Sequence, residues 1–253
     1  MGLIPLIPSP TQIRLLASMV KQKKERGWIR QIWMKPRQSH GSTAASATLS
    51  HLTFLFPNVY TFVIAQDKTT VERLFGMYDT YYNNLSDDVR PMRQYFTKGT
   101  EIVLGNPTMD PGERAKNPGL QSRILVGEAK NINVGTGFTI HGLQMSEVAR
   151  YSDISSLSES LIPALSNFPG TVRIIESTAH YAAGGAWFKE QCEMAMNGKG
   201  IYEYHFLKWW EVPEYSTPLQ KGEKLKLDVE ERHLVKKYGL KPEHIKWRRD
   251  QID

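Results

Sequence analysis

The chain has 253 residues, 40% of them hydrophobic, and a formal net charge of +6, enough for one large α/β domain or two small ones. No stretch offers about 18 uncharged apolar residues, which excludes a predicted transmembrane helix, and Pro5, Pro8 and Pro10 break the apolar start, which argues against a signal peptide. A single cysteine, Cys192, excludes an intrachain disulfide framework and fits a reducing compartment.

The first predicted element is an amphipathic helix over residues 11–24. The apolar run 28–34 reads as a buried strand and leads into Lys35-Pro36-Arg37-Gln38-Ser39-His40-Gly41-Ser42-Thr43, with a helix over 43–55 behind it. Strand, loop and helix in this order are the layout of a phosphate loop. Such a cradle needs inward-pointing backbone N–H groups, a glycine for close approach and a helix N-terminus. Gly41 and Thr43 supply the last two, and the Thr43 hydroxyl stands where a magnesium ligand belongs. Ser42 occupies the place of the usual lysine, and Pro36 that of the usual first glycine. The cations lie at the front of the loop instead, with Arg37 the first choice for the β- and γ-phosphates and Lys35 the second. Gln38, Ser39, His40, Gly41, Ser42 and Thr43 complete the expected nucleotide-binding set, with His40 a loop residue rather than a base.

A strand over 59–65 and a helix over 68–85 follow. Strands at 100–104 and 123–126 flank the loop 105–121, which holds three prolines and three glycines. Residues 138–145 read as a strand ending in Ser146-Glu147. Glu147 is placed to polarise an attacking water. Ser146 stands where an aspartate is expected, with a hydroxyl able to hold a magnesium-bound water but no charge. After a helix over 155–166, the strand 172–176 leads into Ser177-Thr178-Ala179, whose hydroxyls are placed to sense a γ-phosphate. A helix over 186–196 and a strand over 201–207 close the alternating pattern.

Strands and helices alternating in this way predict an α/β fold with a mostly parallel central sheet flanked by helices. The three motifs fall at strand C-terminal ends, where ligands bind in open sheets. Residues 1–208 form the expected core, and 209–253 a small C-terminal helical region, for which the resemblance described below implies the role of a lid. From Lys221 to Arg249 there are ten Lys and Arg against five Asp and Glu. That excess permits contact with a polyanion and equally fits a solvated face or a subunit contact, so it names no DNA-binding residue. Tyr204, His205, Phe206, Trp209 and Trp210 read as core and lid packing.

The three motifs, in this order, resemble the ATPase domain of the large terminase subunit of tailed bacteriophages. Arg37-Gln38-Ser39-His40-Gly41 looks like the family's deviant phosphate loop, R-Q-x-G, with one inserted residue. The segment 138–151, F-T-I-H-G-L-Q-M-S-E-V-A-R-Y, resembles its second motif. I-I-E-S-T-A at 174–179 and G-G-A-W-F at 184–188 resemble its coupling motif and the following helix. Tyr238-Gly239-Leu240 and Trp247-Arg248-Arg249 resemble the lid that precedes its nuclease domain.

The resemblance implies a phosphate-loop ATPase of the additional-strand, catalytic-glutamate type, using ATP and Mg2+. Glu147 and Arg37 would be catalytic, Gln12 would read adenine, and Ser177, Thr178 and Ala179 would couple hydrolysis to movement. The family also uses an arginine donated by a neighbouring subunit. Residues 133–137 hold none, which leaves Arg123 and Arg150 as candidates. Implied partners are double-stranded DNA bound without sequence preference, a homo-oligomeric ring on the portal protein, and the small terminase subunit, with no membrane. The implied location is the host bacterial cytoplasm and, transiently, the portal vertex. The chain stops where the family's nuclease domain would begin, so no nuclease activity is expected of it. The rivals are a related translocase or helicase and a non-catalytic nucleotide-binding or assembly module, for which Ser42 and Ser146 would be the marks of decay.

Overall fold

The computed structural model describes residues 7–97, 100–131, 137–181 and 183–252. The first helix, α1 (Pro10–Arg26), begins with a reciprocal cap: the Ser9 hydroxyl accepts the Gln12 N–H while the Gln12 side chain accepts the Ser9 N–H. Gly27 closes it in the left-handed conformation at φ 77°, a backbone state that glycine adopts without steric penalty. The chain continues through β1 (Ile29–Met34), α2 (Gly41–Leu55), β2 (Tyr60–Ala65), α3 (Lys68–Asn83), β3 (Tyr95–Thr97), β4 (Glu101–Leu104), α4 (Pro111–Lys116) and β5 (Ser122–Glu128). It ends with β6 (Gly142–Ser146), α5 (Ile154–Leu161), β7 (Val172–Ser177), α6 (Ala183–Met196), β8 (Glu203–Phe206), α7 (Val229–Tyr238) and α8 (Pro242–Ile252).

Among the described residues eight strands form one sheet in the order β3-β4-β5-β2-β6-β7-β1-β8. The strands from β5 to β8 in that order are mutually parallel, and β3 and β4 add an antiparallel edge. Strand β7 lies between β1 and β6, so the loop after β1 and the turn after β6 flank the tip of β7.

Alternation along each strand divides the core. Trp33, Val63, Ala65, Val172 and Ile174 face α1, α2 and α3, against Leu15, Leu49, Leu74 and Tyr78. Ile32, Phe62, Ile64, Leu143, Met145 and Ile175 face α5 and α6, against Leu157, Phe188 and Cys192. Both faces are therefore covered, as a parallel sheet requires, and Cys192 is a buried packing residue. Among the described residues no helix is long and apolar enough to cross a membrane.

The structure moves some boundaries. Strand β6 begins at Gly142 rather than residue 138: Gly137 turns at φ 91°, Phe138 stacks on Tyr60 outside the sheet, and Ile140 makes an isolated bridge to Leu165. The helix expected over 155–166 stops at Leu161, where Pro163 enters a tighter turn, Ile162–Ala164. The loop 105–121 contains α4, capped by Asp110 and started by Pro111. Strand β3 was not anticipated, being too short to show a period.

Residues 209–252 pack largely through aromatic rings. Trp247 stacks on Trp209 at 5.2 Å and on Tyr215 at 4.4 Å, and Trp210 lies 4.9 Å from Tyr238. The carboxylate of Glu231 accepts two hydrogen bonds of 2.6 Å from Arg249, clamping α8 to α7. Arg14 on α1 grips Glu211 through two bonds of 2.9 and 2.8 Å and so ties this region to the core.

Candidate functional site

Strand β1 ends at Met34, and the chain then turns to start α2 at Gly41. On the way Gln38 and His40 take left-handed conformations, at φ 55° and 54°. Left-handed residues on either side of Ser39 turn successive N–H groups toward one side, the geometry of an anion-binding nest. Holding a non-glycine residue this way costs about 1–2 kcal/mol, a strain that tends to persist where function requires it. Gln12 braces the loop, donating to the His40 carbonyl at 3.0 Å while accepting from the Ser9 N–H at 2.8 Å. Both polar ends of this buried amide are thus engaged inside the chain.

On the far side of β7, Glu147 follows β6 and is also left-handed, at φ 58°. Its turn is pinned from several directions. Tyr151 donates to the carbonyls of Ser146 at 3.1 Å and Ile64 at 2.8 Å, and the Ala149 N–H donates to Ser177 Oγ at 3.1 Å. The Gly184 N–H donates to the Tyr151 carbonyl, and any Cβ at Gly184 would collide with the Val148 and Tyr151 carbonyls. That close approach explains the glycine at the start of α6.

The turn aims the Glu147 carboxylate back at the phosphate loop. Its Oε1 accepts from Lys35 Nζ at 2.7 Å, and its Oε2 accepts from the Thr178 hydroxyl at 3.1 Å and the Thr178 N–H at 3.4 Å. Arg150 Nε lies 4.0 Å from Oε2. A cleft of about 490 Å³ opens over this junction, lined by Lys35, residues 37–43, Gln66, Thr69, Thr70, Arg73, Met77, Glu147 and Arg150. Loop, acid and coupling motif therefore meet at the C-terminal edge of the sheet.

Charge within the cleft is ordered by burial. Burial alone opposes the charge on Lys35, but the Glu176 and Glu147 carboxylates outweigh it and hold the ammonium above its ordinary pKa. Burial likewise raises the Glu147 carboxyl, and the nearby Lys35 charge with the bonds from Lys35 and Thr178 brings it below the usual range. Both groups are ionised at neutral pH. Lys35 is 8% exposed, whereas Arg37 is exposed and its guanidinium forms no hydrogen bond or ion pair among the described residues.

Other expected residues divide clearly. Thr43 is half-buried and lines the cleft, as do Ser42 and Gly41. Ser146 and Ser39 are buried, and among the described residues neither hydroxyl oxygen has a hydrogen-bond partner. Ala179 is exposed and is not part of the cleft wall. Arg150 enters the cleft of its own chain. Arg123 sits at the opposite, N-terminal edge, paired with Glu101 at 3.1 Å and lying over the Tyr60 and Phe138 rings. Of residues 133–137, all but Gly137 lie outside the described residues.

Three neighbours had not been singled out. Arg73, on α3, lines the cleft and had no local signal. Tyr215, beyond the last strand, donates to the Arg37 carbonyl at 2.7 Å. Glu176 is fully buried on β7, 3.8 Å from Lys35; a charged residue inside the apolar strand V-R-I-I-E-S was its available signal.

No protein-family model matches the sequence, and no curated protein is significantly similar to it. Solved structures are. The large terminase ATPase domain of Thermus phage P74-26 superposes with a TM-score of 0.59 at 18% identity, over 82% of this chain and 84% of that one. The large terminase of bacteriophage HK97 gives a TM-score of 0.60 at 11% identity, over 98% of this chain and 48% of that one. The chain thus spans about half the length of the HK97 protein. It has the fold of phage large terminase ATPase domains.

Proposed function

We propose that this chain is the ATP-hydrolysing motor domain of a viral large terminase, one that drives double-stranded DNA into a procapsid. The observation that carries the reading is the 2.7 Å contact of Lys35 with Glu147, which joins the phosphate loop to the acid across β7. The fold shared with terminase ATPase domains supports it, as does the run of N–H groups above α2.

The triphosphate lies over the nest of residues 38–43, with Arg37 reaching the β- and γ-phosphates from the loop front. Lys35 exchanges a carboxylate for phosphate oxygens as the nucleotide enters, which releases Glu147. The freed carboxylate orients the attacking water and accepts its proton, and most of the catalysis is positioning and charge stabilisation. Thr178, bonded to Glu147, senses the change when the γ-phosphate leaves, and Ser177, which accepts from the Ala149 N–H, links it to the turn after β6. The lid at 209–253 is linked to the core at 1–208 through Tyr215 and responds at the loop.

The donor set fits magnesium, a hard cation preferring oxygen ligands. Thr43 lines the cleft, and the Ser146 hydroxyl is buried without a partner among the described residues, suited to a metal-bound water. Bound there, the ion would neutralise developing charge on the phosphates.

An arginine from a neighbouring subunit in a ring would add about 10³- to 10⁵-fold in rate, so an isolated monomer is a slow ATPase. Arg123, far from its own cleft, is suited to such a role in trans, whereas Arg150 is positioned to act in cis. DNA contacts are mainly to phosphates, non-specific and weakened by salt. The portal protein and the small terminase subunit are the assembly partners, in the host bacterial cytoplasm and at the portal vertex. Calorimetry with ATP, with and without magnesium, followed by phosphate release, tests the reading. A folded chain that binds no ATP would leave a non-catalytic assembly module.

A further inference from the structure

We propose that Glu176 supplies the carboxylate that Ser146 lacks, holding the nucleotide's magnesium ion through its water shell. The proposal rests on the nucleotide reading above and assigns a metal-positioning residue on β7 rather than β6.

Glu176 lies beside Ser146 in the β6–β7 register and beside Trp33 in the β7–β1 register. It therefore stands between the strand bearing the phosphate loop and the strand bearing the acid. Alternation along β7 puts it on the face of Val172 and Ile174, toward α2. One carboxylate oxygen is fixed: Oε1 accepts from Gln144 Nε2 at 2.9 Å, and the Gln144 carbonyl is itself held by the Tyr78 hydroxyl at 2.9 Å and the Ser46 hydroxyl at 3.2 Å. The other, Oε2, is fully buried and accepts no hydrogen bond among the described residues. Lys35 Nζ is 3.8 Å from it, too far for one, and bonds Glu147 instead.

A buried carboxylate oxygen left in this state is costly, and an isoleucine would pack the strand without that cost. The orphan oxygen points to the loop. A Cβ built on Gly41 would lie 3.5 Å from Oε2 and 3.7 Å from Ser39 Oγ, another buried oxygen without a partner. The bare face of Gly41 thus separates the carboxylate from the phosphate cradle. Lys35 and Arg150 both face Glu147, and among the described residues no cation bonds Oε2 of Glu176. Oxygen donors, an unbonded buried carboxylate oxygen and a neighbouring phosphate site suit Mg2+, which keeps several waters and takes one or two protein carboxylates.

The test is the magnesium dependence of AMP-PNP binding, measured by calorimetry for wild type, Glu176→Gln, and the double variant Ser146→Asp with Glu176→Gln. In wild type, magnesium chloride should tighten AMP-PNP at least about tenfold, the effect expected of an outer-shell carboxylate. Glu176→Gln should lose that tightening while its magnesium-free affinity stays within a few-fold. Ser146→Asp, returning a carboxylate one strand over, should restore it. A Glu176→Gln chain that is folded and keeps the full magnesium effect overturns the assignment while leaving the nucleotide site standing. Wild type that binds AMP-PNP equally with and without magnesium overturns it too, and wild type that binds none overturns both readings. Should Glu176→Gln fail to fold, the double variant decides, because a folded double variant without magnesium tightening also sinks the proposal.

Discussion

The Tyr215 hydroxyl donates a 2.7 Å hydrogen bond to the backbone carbonyl of Arg37, and the same ring stacks on Trp247 at 4.4 Å with planes 9° apart. One side chain therefore joins the loop after β1 to the aromatic cluster that holds α8.

Tyr215→Phe keeps the stack and removes the bond. Global stability should fall by no more than about 1 kcal/mol, the usual net worth of one hydrogen bond. Hydrogen exchange in α7 and α8 should then respond less to AMP-PNP than in wild type. An undiminished response would mean that the lid is driven through another contact, with the Arg14–Glu211 pair the next to examine.

Glu147→Gln should lower kcat by about 10²- to 10⁴-fold, the range for losing a general base, while ATP affinity changes little. The amide can still accept from Lys35, and Glu176 remains as the counter-ion of Lys35. Because the wild-type carboxyl is held below its ordinary value of 4.5, the acid limb of kcat/KM should lie below that pH. Stopped assays from pH 4 to 8 check both points. Hydrolysis by the glutamine variant at the wild-type rate would remove Glu147 from the chemistry.

Lys35 and Arg37 should separate by stability. Lys35→Ala leaves the Glu147 and Glu176 carboxylates facing one another without a buried cation and should cost about 3–5 kcal/mol. Adding Glu147→Gln removes one of those charges and should recover part of the loss. Arg37→Ala removes an exposed group and should change stability by only about 0.5 kcal/mol, yet weaken nucleotide binding. Urea melts and calorimetry on the same three variants give the comparison. Unaltered affinity in Arg37→Ala would hand the phosphate clamp to Lys35.

What the sequence made legible followed from local physics. The strand-to-helix loop at 35–43 and the acid after β6 carry their own signals: an apolar run, a glycine, a helix start, a charge at a strand end. The partnership of Lys35 with Glu147 could not be read, because 112 residues separate them and the insertion of β7 between β1 and β6 brings them together. Lys35 ranked behind Arg37, and its burial beside two carboxylates became visible only in the fold. Gln12 was expected to meet a base; its capping box with Ser9 is local and was open to reading as S-x-x-Q, whereas its bond to His40 emerges only once α1 is set against the loop. Phe138 looked like strand because apolarity alone does not distinguish a sheet residue from a ring stacked at the sheet's end.

The lid should carry an acid-sensitive latch. Hydrogen bonds from Arg249 come first among the causes that bring the Glu231 carboxyl down from 4.5 to about 2, against the opposing effect of burial. A depressed carboxyl contributes stability that is complete above its unfolded value and disappears as pH falls through its folded one. The α7–α8 clamp should therefore hold at pH 5 and weaken progressively from about pH 4.5 toward 2. Near-ultraviolet circular dichroism follows the Trp209–Trp247 stack, which α8 carries, and should report that loss. In Arg249→Ala the carboxyl returns toward its ordinary range, so the stack should already be loosened at neutral pH and its remaining acid response should be shallower. An acid transition of unchanged depth in that variant would place the latch elsewhere, with the Glu230–Arg248 pair, which also joins α7 to α8, the next to examine.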